Sequence, residues 1–187
     1  MWSRKILGWA VHDIECNELA AALVKRIRDE AGPDVDLVGW VLHSDNGGAM
    51  KGATMLATLQ RLGVVPSFSR PSVSDDNPYI ESLFRTLKYC PEYPSSGFAS
   101  VEQARLWVAR FVAWYNHEHQ HSGIGFVAPA VRHAGDDLAI LAARRETYAR
   151  ARQRHPERWA RHTRPWKRPD TVTLNPENHT EADRLAS

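Results

Sequence analysis

The chain has 187 residues, a formal net charge of +2, 43% hydrophobic and 25% charged residues. Those values suit one domain with a packed core plus an appendage. Two distant cysteines in no paired motif exclude a disulfide framework and a CxxC zinc site, and they read as reduced thiols of a cytoplasmic protein. No stretch approaches a transmembrane span, the N-terminal residues have no apolar core of a signal peptide, and no internal repeat is seen, so no membrane partner is expected. Charge is unevenly placed: residues 141–170 hold ten Lys or Arg against three Asp or Glu. That block reads either as a nucleic-acid contact or as a solvated helix face with a flexible tail.

In chain order, Lys5 to Val11 reads as a strand rich in Ile, Leu, Trp and Val. Leu19, Leu23, Val24 and Ile27 then predict a helix from about Asn17 to Ala31, with Asn17 as cap and Gly32-Pro33 as stop. The apolar run Val38-Gly39-Trp40-Val41-Leu42, leading to His43, has the continuity of a buried strand. It is followed by Asp45 and the turn Asn46-Gly47-Gly48, where the backbone can approach another group closely. A helix is predicted over residues 52–62, ended by Gly63, then a short strand from Val64 to Phe68 and a loop from Arg70 to Asp76.

Asp75 or Asp76 can cap the next helix, with Pro78 in its first turn. Asn77, Glu81, Arg85 and Lys88 fall on one face of it, and Leu83, Phe84 and Leu87 are the expected buried side. An exposed helix with ordinary charge pairs is the plainer reading of that polar face. Ser100 and Gln103 form a capping box before a long amphipathic helix to about His117. His117, His119 and His121 invite a metal hypothesis, but they share no helix face and have no Cys nearby. Further helices are predicted from Pro129 to His133 and from Leu138 to about Arg154. Beyond His155-Pro156 the tail reads as extended or poorly ordered, with a possible short strand at Val172 to Pro176.

Two carboxylates stand out. Asp45 ends an apolar strand, and Glu81 sits on a predicted helix with 35 residues between them. A strand end and a helix face that each present one carboxylate to a shared divalent ion are the hardware of phosphoryl transfer on nucleic acid.

The motifs agree in order with one family. Ser3 to Trp9, His43-Ser44-Asp45-Asn46-Gly47, Asn77-Pro78 through Glu81-Ser82 and then Lys88, Trp114-Tyr115-Asn116, His121, Pro129 and His133, and finally His155-Pro156-Glu157-Arg158 and Asn175-Pro176, resemble the C-terminal portion of insertion-sequence transposases (OrfB type) with a retroviral-integrase-like DDE core. The resemblance implies an α/β, RNase H-like fold, here lacking its first two strands. Residues 1–135 would be a partial integrase catalytic core, and residues 136–187 a basic helical extension with an irregular tail. It implies DNA strand cleavage and strand transfer with two Mg²⁺ ions, transposon ends and target DNA being the partners. Asp45 and Glu81 would be catalytic metal ligands. Lys88, Arg85, Asn77 and Asn46 would lie beside the DNA.

The family's first catalytic Asp belongs on a strand expected before Met1, and neither Asp13, Asp34 nor Asp36 stands in its place. The chain is therefore expected to be an N-terminally truncated core, inactive alone and prone to fold poorly or to self-associate through an open sheet edge. Whether it is an enzyme by itself stays open. The alternatives are a non-catalytic DNA-binding fragment, a fragment that pairs with intact transposase, a decayed gene product, and an RNase H-type nuclease.

Overall fold

The structure is a computed structural model and describes residues 1–70 and 78–174. It divides into two compact units, one of His12–Gly97 together with residues 173–174, the other of Met1–Val11 with Phe98–Val172.

The first unit is a mixed helix and strand assembly. α1 (Asn17–Ala31) is followed by β1 (Val41–Ser44), α2 (Gly48–Lys51), α3 (Ala53–Arg61), β2 (Val65–Phe68) and α4 (Pro78–Lys88). β1 and β2 are parallel, with Val41 opposite Val65 and Ser44 opposite Phe68. Parallel strands need a crossover connection, and α2 and α3 supply it. The core is where α1 meets α3: Ala21, Met55 and Leu59 are buried, with Leu37 and Val64 beside them.

Here the helices match expectation closely, and two local readings need correction. The residue capping α1 is Cys16, without a side-chain capping bond. Asn17 is the first helical residue, and its side chain lies against Gly52, where an added Cβ would sit 2.2 Å from Asn17 Nδ2. The apolar run expected as a buried strand from Val38 enters the sheet only at Val41. Gly39 adopts φ +79°, and Trp40 N–H donates to Leu37 O at 3.0 Å, so residues 37–40 turn instead of extending. Val38, in that turn, is 70% exposed, and Val41 is 62% exposed, β2 being the one strand paired with β1 among the described residues.

The second unit is helical: α5 (Val101–His117), α6 (Pro129–Ala134) and α7 (Asp137–Arg154). The cap forms with its return bond shifted by one residue: Ser100 Oγ accepts from Gln103 N–H at 3.1 Å, and Gln103 Oε1 accepts from the N–H of Ala99, just before the cap, at 2.6 Å. Trp107, Phe111 and Tyr115 recur every fourth residue, so one side of α5 is a buried aromatic ladder. Trp107 and Phe111 stack with centroids 5.3 Å apart. Pro129 opens α6, where its missing N–H costs nothing, and Gly135 ends it in the left-handed region.

Lys5 to Val11, expected as a strand, is not one. Its backbone finds a side-chain partner: Asn116 on α5 accepts from Ile6 N–H and donates to Ile6 O, both at 2.9 Å. One amide side chain thereby satisfies the pair of groups that a neighbouring strand would otherwise take. The stretch after α7 is irregular, as expected, but it is anchored. Trp166 is buried, 5.1 Å from the Tyr148 ring on α7 and 6.3 Å from Phe126. Residues 172–174 form no strand, and Asn175 and Pro176 lie outside the described residues.

Charge is buried in this unit. Arg132 and Asp137 are almost fully buried, with Arg132 Nε 2.7 Å from Asp137 Oδ2 and Arg168 Nη1 3.0 Å from Asp137 Oδ1. The Trp2 ring lies 5.3 Å from the Arg132 guanidinium and 5.0 Å from that of Arg168.

Candidate functional site

Asp45 follows the last residue of β1 and is exposed. The loop that carries it is fastened to the end of β2. Ser69 N–H donates to Ser44 O at 3.0 Å, and Asn46 Nδ2 donates to Ser69 O at 2.8 Å. One strand position earlier, His43 Nδ1 meets Ser67 Oγ at 3.0 Å across the β1–β2 pair. Asp45 closes its own turn, with Oδ1 accepting from Gly47 N–H at 3.0 Å. A Cβ at Gly47 would lie 3.0 Å from that same oxygen, a tight contact, and 3.6 Å from Glu15 Oε1, an ordinary one, so a side chain there would crowd the Asp45 carboxylate in its present position. Sequence reading missed Glu15, the acid that the fold of this unit brings to the Asp45 turn. No spacing pattern marks it, because the chain between them passes through α1 and β1.

Glu81, Arg85 and Lys88 are exposed on α4 at positions i, i+4 and i+7, hence on one face. The Arg85 guanidinium sits 5.9 Å from the Tyr89 ring. The opposite face is less covered than expected. No α4 residue is fully buried, Phe84 is 53% exposed, and Leu83 and Leu87 are half-buried. Few described neighbours cover this helix; at its start the Tyr79 hydroxyl donates to Thr173 O at 3.1 Å. Asn77, the expected cap at Asp75 or Asp76, and the loop up to Asp76 lie outside the described residues.

The structure thus places Asp45 and Asn46 on one fastened loop, and Glu81, Arg85 and Lys88 on one helix of the same unit. Among the described residues, no group of three or more His, Cys, Asp or Glu is positioned to hold a metal ion. The donor chemistry of Asp45 and Glu81 does suit Mg²⁺, which takes oxygen ligands, accepts one or two carboxylates and keeps several waters. Asn46 uses an amide N–H to hold the loop, which is a positioning role.

The alternating histidines lie in the other unit. His119 stacks on Tyr115 at 5.4 Å and contacts Trp114 at 4.8 Å, and its ring is 5.9 Å from that of His121. His121 Nδ1 accepts from Gly123 N–H at 3.1 Å. Burial pushes both imidazoles below their ordinary pKa, and for His121 the nearby Arg4 charge adds to it. These rings are built into the turn after α5, and His117 at the helix end is exposed.

No helix among the described residues is long and apolar enough to cross a membrane. Residues 62–129 match the Integrase core domain family. The chain is 27% identical over 131 residues to a putative transposase for insertion sequence element IS986/IS6110 of Mycobacterium tuberculosis, covering 68% of this chain and 47% of that protein. It is 27% identical over 131 residues to the transposase for insertion sequence element IS904 of Lactococcus lactis (69% and 50% covered), and 29% identical over 136 residues to transposase InsF for insertion sequence IS3A of Escherichia coli (69% and 44%). The chain spans about half the length of the curated relatives it matches. Among solved structures, the catalytic core domain of BIV integrase is similar with a TM-score of 0.49 and 18% identity, over 70% of this chain and 78% of that one. The resemblance read from the motifs is borne out: residues 62–129 match the integrase core family, and about two thirds of the chain is similar to insertion-sequence transposases.

Proposed function

We propose that this chain contributes Asp45 and Glu81 to a Mg²⁺-dependent site of the DDE type, which cleaves and joins DNA strands in transposition. The carrying observation is that the integrase core match over residues 62–129 contains α4, one exposed face of which presents Glu81, Arg85 and Lys88. In this reading Asp45 and Glu81 would hold the metal, which when bound supplies Lewis-acid stabilisation of the reacting phosphate oxygens. Lys88 and Arg85 bind DNA phosphates and set the position of the strand, without reading sequence. Asn46 keeps the Asp45 loop on the end of β2, and Gly47 leaves room for the carboxylate to turn. Transposon ends and target DNA are the substrates.

Two carboxylates hold such ions weakly, so strand transfer by this polypeptide added alone is expected to stay at background. The test combines calorimetric titration of Mg²⁺ with a strand-transfer assay on a labelled transposon-end duplex. Asp45→Asn and Glu81→Gln are each expected to weaken Mg²⁺ binding by at least about 10–100-fold, the range seen when only a partner of a metal ligand is lost. Ion binding that neither substitution changes would overturn the ligand assignment. Robust strand transfer that Glu81→Ala abolishes would support the reaction class and overturn only the inactivity of the chain alone.

A further inference from the structure

The most strongly charged surface of the molecule is not the one with the carboxylates. It lies in the helical unit, on α7 and the segment that follows, where residues 141–170 carry ten basic against three acidic side chains. The whole chain has a net charge of only +2, so the rest of it is net negative. Along α7, Asp137, Leu141, Arg144 and Tyr148 face inward, the first two buried and the others half-buried. Arg145 and Arg152 then fall two turns apart on one flank, and Arg150 and Arg154 one turn apart on another. All four are exposed.

None of these four is neutralised among the described residues: no ion pair or hydrogen bond engages their guanidinium groups. Glu146 stands four residues before Arg150, the favourable order for a helix pair, yet the two are not joined. Left without internal partners, these guanidinium donors stay available to an external anion. The segment after the helix adds to the same unit. It is fixed by Trp166 against Tyr148, by Trp159 against Tyr148 at 5.7 Å, and by Arg168 on Asp137. It therefore presents exposed Arg158 and Arg161 from an anchored backbone. Arginine is the side chain suited to phosphate oxygens, through its planar fork of donors.

We propose that α7 and the anchored segment after it form a second DNA-contacting surface, which binds the phosphate backbone of duplex DNA without sequence preference. It goes beyond the carboxylate site, since it needs neither Asp45 nor Glu81, and it lies in the other compact unit. Each phosphate neutralised by an arginine releases condensed counterions, so the signature is a steep dependence of affinity on salt.

The test uses the full chain and a fluorescein-labelled duplex of arbitrary sequence, with anisotropy read across a NaCl series. Replacing Arg145, Arg150, Arg152 and Arg154 by Gln together is expected to reduce the slope of log affinity against log salt by about 3–4, at ~0.9 for each lost phosphate contact. Thermal unfolding is expected to be unchanged, because these side chains hold nothing. The pair variants Arg145→Gln/Arg152→Gln and Arg150→Gln/Arg154→Gln are each expected to give about half of that loss, which keeps the test decisive if the fourfold variant misfolds. Asp45→Asn/Glu81→Gln is expected to keep the wild-type slope, so failure of the carboxylate reading leaves this result intact. An unchanged slope in the arginine variants, or equally tight binding of poly-glutamate, overturns the proposal.

Discussion

Asn116 pairs both ends of its side-chain amide with the peptide groups of Ile6: N–H of Ile6 to Oδ1 and Nδ2 to the carbonyl, each at 2.9 Å. Asn116 is 6% exposed, so both bonds are shielded from water. This one side chain fastens the first segment of the chain to the middle of the helical unit. Asn116→Ala leaves Ile6 N–H and O without those partners and is expected to destabilise this unit by about 2–3 kcal/mol, two hydrogen bonds at roughly 1 kcal/mol each plus desolvation. Denaturant unfolding followed by tryptophan fluorescence checks it, and an unchanged midpoint would refute it.

The Arg132–Asp137 pair is deeper. Arg132 also donates Nη2–H to Ile124 O at 3.0 Å, while its Nη1 has no hydrogen-bond partner. The 2.7 Å contact between Nε and Oδ2 is an ionic approach that lacks hydrogen-bond alignment, since both atoms are otherwise unpartnered. Removing one charge strands the other in the interior. Asp137→Ala is expected to cost about 3–5 kcal/mol, and Arg132→Met/Asp137→Leu to recover most of that loss. Unfolding of the single and double variants separates a stabilising pair from a merely tolerated one.

Three histidines of this unit are held below their ordinary pKa: His119 by burial, His121 by burial then Arg4 and His119, and His133 by burial then Lys5 and the terminal amine. In the unfolded chain they titrate near about 6.5. Below that value the unfolded state takes up protons first, so stability is complete above it and is lost as pH falls toward the lowered folded values. The chain is expected to unfold at lower denaturant at pH 5.5 than at pH 7.5 (about one unit either side of 6.5). His121→Gln is expected to flatten that difference, and an identical pH profile would exclude His121 as a contributor.

In the mixed unit, Gly52 meets Asn17. An added Cβ would lie 2.2 Å from Asn17 Nδ2 and 2.5 Å from Asn17 Cβ, so rotation of the Asn17 side chain alone does not clear it. Gly52→Ala is expected to destabilise by about 1–3 kcal/mol, the usual cost of overpacking. Adding Asn17→Gly is expected to recover part of it, which unfolding of the double variant reads directly.

Much of this was legible in one dimension. Helical spacing located α1 and α5, Ala- and Arg-rich composition located α7, Gly32, Gly63 and Pro129 marked ends and starts, and Ser100 with Gln103 announced their cap, because these signals act within four residues of where they are written. Strand readings travelled less well. Lys5 to Val11 and Val38 to Trp40 have strand composition, but a strand exists only when a partner backbone lies beside it. Ile6 is met by an amide on a helix, and Gly39 turns the second run. The first event leaves no trace in local composition, and the second leaves only one glycine within an apolar run.

By itself, the sequence determined the motif order that led to the integrase core resemblance, the positions of Asp45 and Glu81, and the basic excess of residues 141–170. Residue type and order along the chain suffice for those, since each is a property of the sequence before it folds. Only the tertiary structure decided that Glu15 comes to the Asp45 turn, that Asn116 stands in for a strand, and that Trp166 and Arg168 anchor the stretch after α7. Each joins groups far apart in the chain, and such proximity is fixed by how the helices pack.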